Sequence, residues 1–354
     1  MMLELVEYTV IASTPLISGL LVWLYFIRLR MHRRRSHVFL RLIVGNALVL
    51  LLLLSILMVI GESYFRFWYD TTDASNQTKT SIRWFRRHWH ANESGIRDNA
   101  ARYEKFIPAG KRRVTFIGDS FTAGHGIKRV EDRFANITRR ARPDWDVHLM
   151  AECDWDTDAH LKLIERYASY YELDTVVVVA NLNDILDILP RWHALRRKLW
   201  TGKQPNLFLR HSYLFNQLYY RWQNATDEQA LSYYQIIFDG YAGESWSTQQ
   251  QRLGALHEMV KARGGRLVVV TFPLLHALGS EGTFRSVHTR LGELWDRLNV
   301  PNLDLLTVFE AYHPETVTVN RYDPHPNELA HSTAAKAIVA FLDSVMGQSR
   351  QPTD

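Results

Sequence analysis

The sequence predicts an α/β fold in which helices cover both faces of a mainly parallel sheet, preceded by two transmembrane helices. Two observations support this prediction. Beyond residue 110, four short apolar runs alternate with amphipathic helical patterns, which is typical of a parallel sheet buried on both faces. Before residue 61, two apolar stretches of 20 and 19 residues are each long enough to cross a bilayer core of about 30 Å as a helix.

The two apolar stretches cover residues 8–27 and 42–60, and Pro15 is expected to kink the first. Six arginines and no acidic residue lie between them, in 28–41. By the positive-inside rule this short loop is cytoplasmic, so the chain after about residue 62 is expected outside the cytoplasm, in the periplasm of a Gram-negative host. A cleaved signal peptide is disfavoured because the positive charge follows the apolar run. A pair of buried core helices is disfavoured because helices of soluble domains normally carry a polar face.

The composition narrows the range of partners. The formal charge of +5 becomes −1 once the six arginines of 28–41 are set aside, so the basic excess is local and a nucleic-acid partner is not expected. The single cysteine, Cys153, excludes an intramolecular disulfide and is expected to be a small packed residue. His125, His148 and His160 show no recognisable ligand spacing, so neither a metal nor a cofactor is expected.

Three segments make up the soluble part. Residues 62–109, with several Trp and Arg, are a membrane-proximal lead-in that is expected to pack on the domain; 110–346 form the α/β domain, and 347–354 a flexible tail. The strand patterns lie at residues 113–117, 147–150, 175–180 and 266–272, and the helical patterns lie at 159–171, 246–263, 284–298 and 328–346.

A helical insertion at about 190–245 is expected beside the site. Its aromatic residues would form either a sugar or acyl platform or ordinary core packing. These residues are Trp192, Trp200, Tyr213, Tyr219, Tyr220 and Trp222.

Ser120 follows the first strand pattern in the tripeptide Gly118-Asp119-Ser120. Open α/β sheets place their sites at the carboxyl ends of strands, and the free N–H groups of the following helix would point at this hydroxyl. The tripeptide alone fits an N-cap serine in a βα turn equally well.

Three further polar side chains hold comparable positions. Asn183 follows the third strand pattern, where its amide can donate to a developing oxyanion. Asp323 and His325 are close enough to share one loop before the last helix, so the carboxylate can orient the imidazole and the imidazole can activate the serine hydroxyl. Taken singly, each residue has an ordinary alternative as a turn residue, a helix cap or a surface histidine.

This ordered set resembles the SGNH/GDSL hydrolase superfamily over roughly residues 110–345. The family's G-D-S block is matched by 118–120, its G-x-N-D block in part by 181–184, and its final Asp, His and Pro-Asn block by 323–327. The phrase Gly-Ile-Arg-Asp at 95–98 also looks like the lead-in of membrane-tethered members. The resemblance implies a flavodoxin-like three-layer α/β/α domain.

The resemblance also implies roles for five residues. Ser120 would be the nucleophile, His325 the general base and acid, and Asp323 the residue that orients the histidine. The oxyanion hole would combine the side chain of Asn183 with the backbone N–H groups of Ser120 and Ala151.

The sequence departs from the family pattern in three places. The second block, matched by 149–157, lacks the glycine that completes the oxyanion hole; Ala151 is the best match, and its N–H can serve provided that no positive φ is required. Asn181 replaces the glycine of the third block, and the last pair is spaced Asp-x-His instead of the commoner Asp-x-x-His. No catalytic side chain is lost, but an inactive relative stays open as an alternative.

The expected function is an extracytoplasmic, membrane-anchored serine esterase that hydrolyses acyl esters, with acylated carbohydrate as one candidate substrate. A sugar hydroxyl as acceptor would instead make the protein an O-acyltransferase. A third alternative is a non-catalytic accessory subunit of a cell-surface polysaccharide acylation system, because a two-helix anchor exceeds what tethering needs and could dock a membrane acyltransferase.

Overall fold

The computed structural model describes residues 2–31, 38–74, 76–200, 206–226, 232–279 and 284–348. They group into two compact units: the first contains the described residues of 1–71, 76–84 and 203–226, and the second contains the remainder. Arg33, Arg34 and Arg35 of the predicted cytoplasmic loop, and 349–354 of the predicted tail, lie outside the described residues.

The helices are, in chain order, α1 (Met2–Ala12), α2 (Thr14–Met31), α3 (Val38–Ser63), α4 (Lys79–His88), α5 (Ser120–Ala123), α6 (Phe134–Ala141), α7 (Thr157–Tyr167), α8 (Pro190–Trp200), α9 (Leu207–His211), α10 (Tyr213–Thr226), α11 (Tyr233–Ala242), α12 (Ser245–Ala262), α13 (Arg285–Arg297), α14 (Leu306–Phe309), α15 (Pro314–Val317) and α16 (Glu328–Gln348). The strands are β1 (Arg112–Gly118), β2 (Trp145–Ala151), β3 (Thr175–Asn181), β4 (Arg266–Phe272), β5 (Asn302–Asp304), β6 (Thr318–Asn320) and β7 (Asp323–Pro326).

A helical hairpin forms most of the first unit. A turn at Ser13, two residues before Pro15, separates α1 from α2, and α3 returns antiparallel to them and ends in a π-helical turn at Tyr64–Trp68. Leu3–Met31 and Val38–Trp68 are each long and apolar enough to cross a membrane, as predicted.

Small polar side chains join the two arms of this hairpin. Ser18 Oγ lies 2.8 Å from Ser55 Oγ, and the Tyr8 hydroxyl lies 2.8 Å from Ser63 Oγ. Such contacts let two apolar helices approach closely while most of their other side chains point away from the pair.

A parallel sheet in the order β2-β1-β3-β4-β5 forms the centre of the second unit. Side chains of β3 alternate between its two faces: Val177 and Val179 pack in a cluster with α6 and α16, and Val176 and Val178 pack in a cluster with α7, α12 and α13. The predicted three-layer, flavodoxin-like fold is therefore confirmed. The strand order reverses between β1 and β3, which is where open sheets of this kind bind ligands.

Each of the four predicted strands is present and extends at most two residues further at either end. Several elements were not predicted: α4, α6, α14, α15, β5 and the antiparallel β6–β7 hairpin. All of them have ten residues or fewer, and β5 reads Asn-Leu-Asp, which lacks the apolar run of a buried strand. The last helix continues to Gln348, into the segment predicted as a tail.

The described residues of the predicted insertion, 190–245, contain α8 to α11, with undescribed residues between some of these helices. Its middle part, 206–226, groups with the helical hairpin, whereas α8 and α11 group with the sheet. Four of the aromatic residues expected beside the site therefore belong to the first unit: Tyr213, Tyr219, Tyr220 and Trp222.

Candidate active site

Ser120 lies at the carboxyl end of β1, beside the point where the strand order reverses. Gly118 ends this strand, and a Cβ on Gly118 would lie 2.2 Å from the Thr122 hydroxyl, so the turn requires glycine. Asp119 caps α5, because its Oδ1 accepts the N–H of Phe121 at 2.9 Å. Ser120 is thereby held as the first residue of α5, with its side chain largely buried.

Asp323 and His325 lie on β7, in a hairpin that the sequence analysis took for a loop. Asn327 supports this hairpin: its Nδ2 donates to the carbonyl oxygens of Thr316 and Thr318 at 2.9 and 3.1 Å. Its Oδ1 accepts the N–H of Ala330, which caps α16. The Asn of the final motif is thus a structural residue that holds the strand carrying His325.

Ser120, His325 and Asp323 come together in a hydrogen-bonded line. His325 Nε2 lies 2.8 Å from Ser120 Oγ, and His325 Nδ1 lies 2.5 Å from Asp323 Oδ1. The backbone N–H of His325 also donates to Asp323 Oδ1, at 3.1 Å. An imidazole that contacts a hydroxyl through one nitrogen and a carboxylate through the other can accept the hydroxyl proton while the carboxylate holds its orientation.

The electrostatics of this line suit proton transfer. Burial, and then the nearby His125, lower the pKa of His325, so its imidazole is neutral and able to accept a proton at neutral pH. Burial alone would raise the pKa of Asp323, but the imidazoles of His125 and His325 hold it well below the usual carboxyl value. A neutral imidazole therefore faces an ionised carboxylate.

Two neighbours of Asp323 were missed by the sequence reasoning. His125 Nε2 lies 3.3 Å from Asp323 Oδ2, and the His125 ring stacks on that of His325. Thr72, from the lead-in, donates its hydroxyl to the same Oδ2. His125 follows Ser120 by only five residues, which was the available signal, whereas nothing in the sequence connects Thr72 to a residue 251 positions later.

His125, Asp323 and His325 are also the donor set of a candidate metal site, because their ligand atoms all lie within 4.8 Å of one another. The sequence spacing of His125 did not reveal this grouping. Both nitrogens of His325 and both carboxylate oxygens of Asp323 already have a partner, so a cation bound here would displace at least one of these contacts.

The residues predicted as oxyanion donors lie at the ends of β1, β2 and β3. Ala151 ends β2 and pairs with Gly118 in the parallel register. Its φ is negative, so the absence of glycine causes no backbone strain there. The N–H of Ser120 is at the start of α5, and Asn183 lies two residues beyond β3, with its side chain near the Tyr233 hydroxyl.

Asn181, at the position of the family's glycine, builds the turn that carries Asn183. Its Oδ1 accepts the N–H of Asn183 at 3.4 Å, and its own N–H donates to Asp184 Oδ2 at 3.0 Å. Burial raises the pKa of Asp119 to about 7, despite the hydrogen bond it accepts from the N–H of Phe121. Burial also raises the pKa of Asp184, so the two carboxyl groups near Asn183 ionise less readily than ordinary ones.

Cys153 lies beside this site, with its Sγ 3.8 Å from His125 Nδ1. Burial, followed by the nearby Glu152, raises the pKa of its thiol well above the usual value. The thiolate is the nucleophilic form of cysteine, so Cys153 is a packed residue, as expected, and not a competing nucleophile.

The part of the lead-in around Arg97 packs behind Ser120. The buried Arg97 donates to the carbonyl oxygens of Ala123 and Gly124 at 3.0 and 2.7 Å, and also to that of Ile127. Gly124 has a φ of 78°, and a Cβ there would lie 2.4 Å from Arg133. The turn that follows α5 is thus shaped around two buried guanidinium groups.

No family model and no curated protein sequence matches the chain. Solved structures with a similar fold include a lipolytic protein of the G-D-S-L family from Veillonella parvula, with a TM-score of 0.40 and 15% identity over 65% of this chain and 97% of that one. A putative lipolytic protein of the same family from Desulfitobacterium hafniense has a TM-score of 0.41 and 14% identity, over 65% of this chain and 99% of that one. A catalytic mutant of an acetylxylan esterase from Geobacillus stearothermophilus has a TM-score of 0.42 and 13% identity, over 66% of this chain and 95% of that one.

Two of these three descriptions name the G-D-S-L family. At these identities an activity for the chain has to be argued from its own side chains.

Proposed function

We propose that this protein is a membrane-anchored serine esterase that hydrolyses acyl esters through Ser120, His325 and Asp323. The observation that carries the proposal is the hydrogen-bonded line from Ser120 Oγ through both nitrogens of His325 to Asp323, in which the base is neutral and the carboxylate ionised. Packing alone does not require a nucleophile, a base and an orienting acid in this order.

In the first half-reaction, Ser120 Oγ attacks the ester carbonyl carbon while His325 Nε2 takes the hydroxyl proton. The carbonyl oxygen becomes an oxyanion, for which the Asn183 amide and the N–H groups of Ser120 and Ala151 are the proposed donors. When the intermediate collapses, the C–O bond to the alcohol breaks, and the alcohol leaves with the proton held by His325. The acyl group stays on Ser120.

In the second half-reaction, water attacks the acyl carbon and gives a proton to His325. The second tetrahedral intermediate breaks its bond to Ser120 Oγ, which recovers its proton from His325, and a carboxylic acid is released. Asp323 stabilises the imidazolium in both halves without becoming protonated.

The proposed location is outside the cytoplasm. Arg28, Arg30 and Arg41 lie at the loop-side ends of the two candidate spans, and the positive-inside rule puts such ends in the cytoplasm. Protease treatment of intact spheroplasts tests this location: digestion of the domain supports it, and protection until the membrane is lysed overturns it.

Acylated carbohydrate is the proposed substrate class. Its support is an aromatic pair in the second unit, since the half-buried Trp192 and Tyr233 rings lie 5.5 Å apart and the Tyr233 hydroxyl lies near the Asn183 side chain. Flat aromatic faces of this kind suit sugar rings. Faster turnover of an acetylated oligosaccharide than of a simple acetyl ester, with the advantage lost in Trp192→Ala, supports this class; equal rates oppose it.

The two alternative functions remain distinguishable from hydrolysis. An O-acyltransferase would form the same acyl-Ser120 and pass the acyl group to a sugar hydroxyl, which an added oligosaccharide acceptor would reveal as an acylated product. A non-catalytic accessory subunit is not favoured, because it would have no need for the aligned Ser120, His325 and Asp323.

Turnover of a small acetyl ester by the detergent-solubilised full chain tests the proposal. We expect Ser120→Ala to lose at least about 10³-fold in kcat. The matched control is Ser169→Ala, an exposed serine of the same domain, which should retain wild-type turnover. Equal rates for wild type and Ser120→Ala would overturn the esterase proposal.

A further inference from the structure

In the helix α10, polar side chains point inward and apolar side chains point outward, which is the reverse of a helix on the surface of a soluble domain. Its inward face is polar, with Asn216 and Gln217 buried. Its outward face is apolar and follows the i, i+3, i+4, i+7 spacing of a single helical face. The exposed residues of that face are Phe215, Leu218, Tyr219 and Trp222.

The short helix α9 adds to the same surface. Leu207 and Phe208 are 71% and 68% exposed, and the rings of Phe208 and Phe215 meet edge to face at 6.1 Å. The six residues together are called the aromatic face: Leu207, Phe208, Phe215, Leu218, Tyr219 and Trp222.

Hydrogen bonds fix this orientation. Asn216 Oδ1 accepts the N–H of Lys79 at 2.8 Å, and Gln217 Oε1 accepts the Thr80 hydroxyl at 2.7 Å. Turning the aromatic face inward would break these bonds and bury apolar side chains against the polar start of α4, so its outward direction is built into the unit.

The start of α10 is attached to the end of the second candidate span. The fully buried Glu62, in the last turn of α3, accepts the N–H groups of Tyr213 and Leu214 at 3.1 and 3.0 Å and the hydroxyl of Ser212 at 2.7 Å. A Cβ on Gly61 would lie 3.1 Å from the Leu214 side chain, so the start of α10 also packs closely against the end of α3 at this glycine.

The start of the first span lies at the same place. Arg66 pairs with Glu62 at 2.8 Å and donates to the carbonyl oxygen of Glu4 at 2.9 Å, and His211 Nδ1 lies 2.7 Å from Glu7 Oε1. These contacts put α9 and α10 at the level where both spans leave the membrane.

We propose that the aromatic face lies in the membrane interface, with its side chains at the boundary between lipid headgroups and acyl chains. Trp, Tyr and Phe are the side chains that favour this zone, and an amphipathic helix there lies in the plane of the membrane. The end of the second candidate span also carries exposed apolar side chains, since Trp68 and Ile60 are 70% and 60% exposed. The inference rests on the proposed membrane anchor and is independent of the esterase activity.

Spin-label accessibility of the full chain in phosphatidylcholine–phosphatidylglycerol nanodiscs tests this inference. Single cysteines are placed at Leu218 and Trp222 in a Cys153→Ala background. Asn224→Cys is the matched control, since Asn224 is exposed on the opposite side of α10, and Tyr170→Cys reports an exposed site on the domain. Leu53→Cys reports the second span.

We expect labels at 218, 222 and 53 to collide more with oxygen than with a water-soluble nickel chelate, and labels at 224 and 170 to show the reverse. If the labels at 218 and 222 collide more with the nickel chelate, as the label at 170 should, while the label at 53 collides more with oxygen, the inference is overturned and the membrane anchor is not. Protection of 218 and 222 from both reagents would show that a protein covers the face, and would overturn it too. A water-exposed label at 53 would overturn the anchor and the inference together.

Discussion

The rings of His125 and His325 stack with their centroids 3.9 Å apart and their planes within 2° of parallel. Both imidazoles contact Asp323, one through each carboxylate oxygen, and Thr72 donates to the oxygen that faces His125. Asp323 is therefore held from both sides, and the base of the proposed triad has a second histidine against its ring. We interpret His125 as a positioning residue, which acts on Ser120 only through Asp323 and His325.

Replacing His125 should change the pH dependence of the reaction. Because His125 lowers the pKa of His325, second only to burial, the variant His125→Gln should move the acidic limb of kcat/KM to higher pH. The check is a pH–rate profile beside His90→Gln, which removes an exposed histidine. If the acidic limb of kcat/KM stays at the same pH and only the plateau value of kcat/KM falls, His125 is a packing residue and does not tune His325.

The pH at which wild-type kcat/KM falls on the acidic side can also be predicted. His325 must be neutral to accept the Ser120 proton, and burial lowers its pKa from the ordinary value of about 6.5. Activity should therefore persist as the pH falls to about 6.5 and be lost only below that value, as His325 becomes protonated. A half-maximal kcat/KM well above pH 6.5 would mean that a different group controls the acidic limb.

Asn183→Ala should lower kcat by about 10²–10³, equivalent to about 2.7–4 kcal/mol, because an oxyanion donor acts mainly in the transition state. KM should change little for the same reason. Steady-state kinetics with Asn224→Ala as the control would measure both constants, since Asn224 is exposed in the other unit. A variant within threefold of wild type would remove Asn183 from the proposed oxyanion hole.

Arg97→Met should destabilise the protein. The carbonyl oxygens of Gly124 and Ile127 would lose a buried charged donor; that of Gly124 keeps the N–H of Ile127, whereas a buried group left unpaired, as at Ile127, costs about 1–3 kcal/mol. Thermal unfolding in one detergent should show a clearly lower midpoint than for Arg102→Met, whose arginine is exposed. Equal midpoints would show that the turn after α5 does not depend on Arg97.

Much of the sheet could be predicted from the sequence, because strands buried on both faces leave long apolar runs. Val176 to Val179 is such a run, and the end of β3 in turn predicted the position of Asn183. Short elements leave weaker patterns: β5 has three residues, and β7, which carries Asp323 and His325, is interrupted by prolines.

The contacts around the site were harder to predict than the residues in it. Ser120, Asp323 and His325 were found through motifs, whereas Thr72 reaches Asp323 through tertiary packing that no local pattern encodes. The same holds for α10, whose sequence shows an apolar face at helical spacing but not the direction in which that face points. Buried Asn216 and Gln217 decide that direction through bonds to residues far along the chain.

Reaction of the full chain with a fluorophosphonate tests the central claim most directly, because such a reagent phosphonylates an activated serine. The account predicts one adduct per chain, located on Ser120 by peptide mass mapping, with ester turnover lost in proportion to labelling and no adduct in Ser120→Ala. An adduct on another residue, or full turnover by protein completely modified at Ser120, would contradict it.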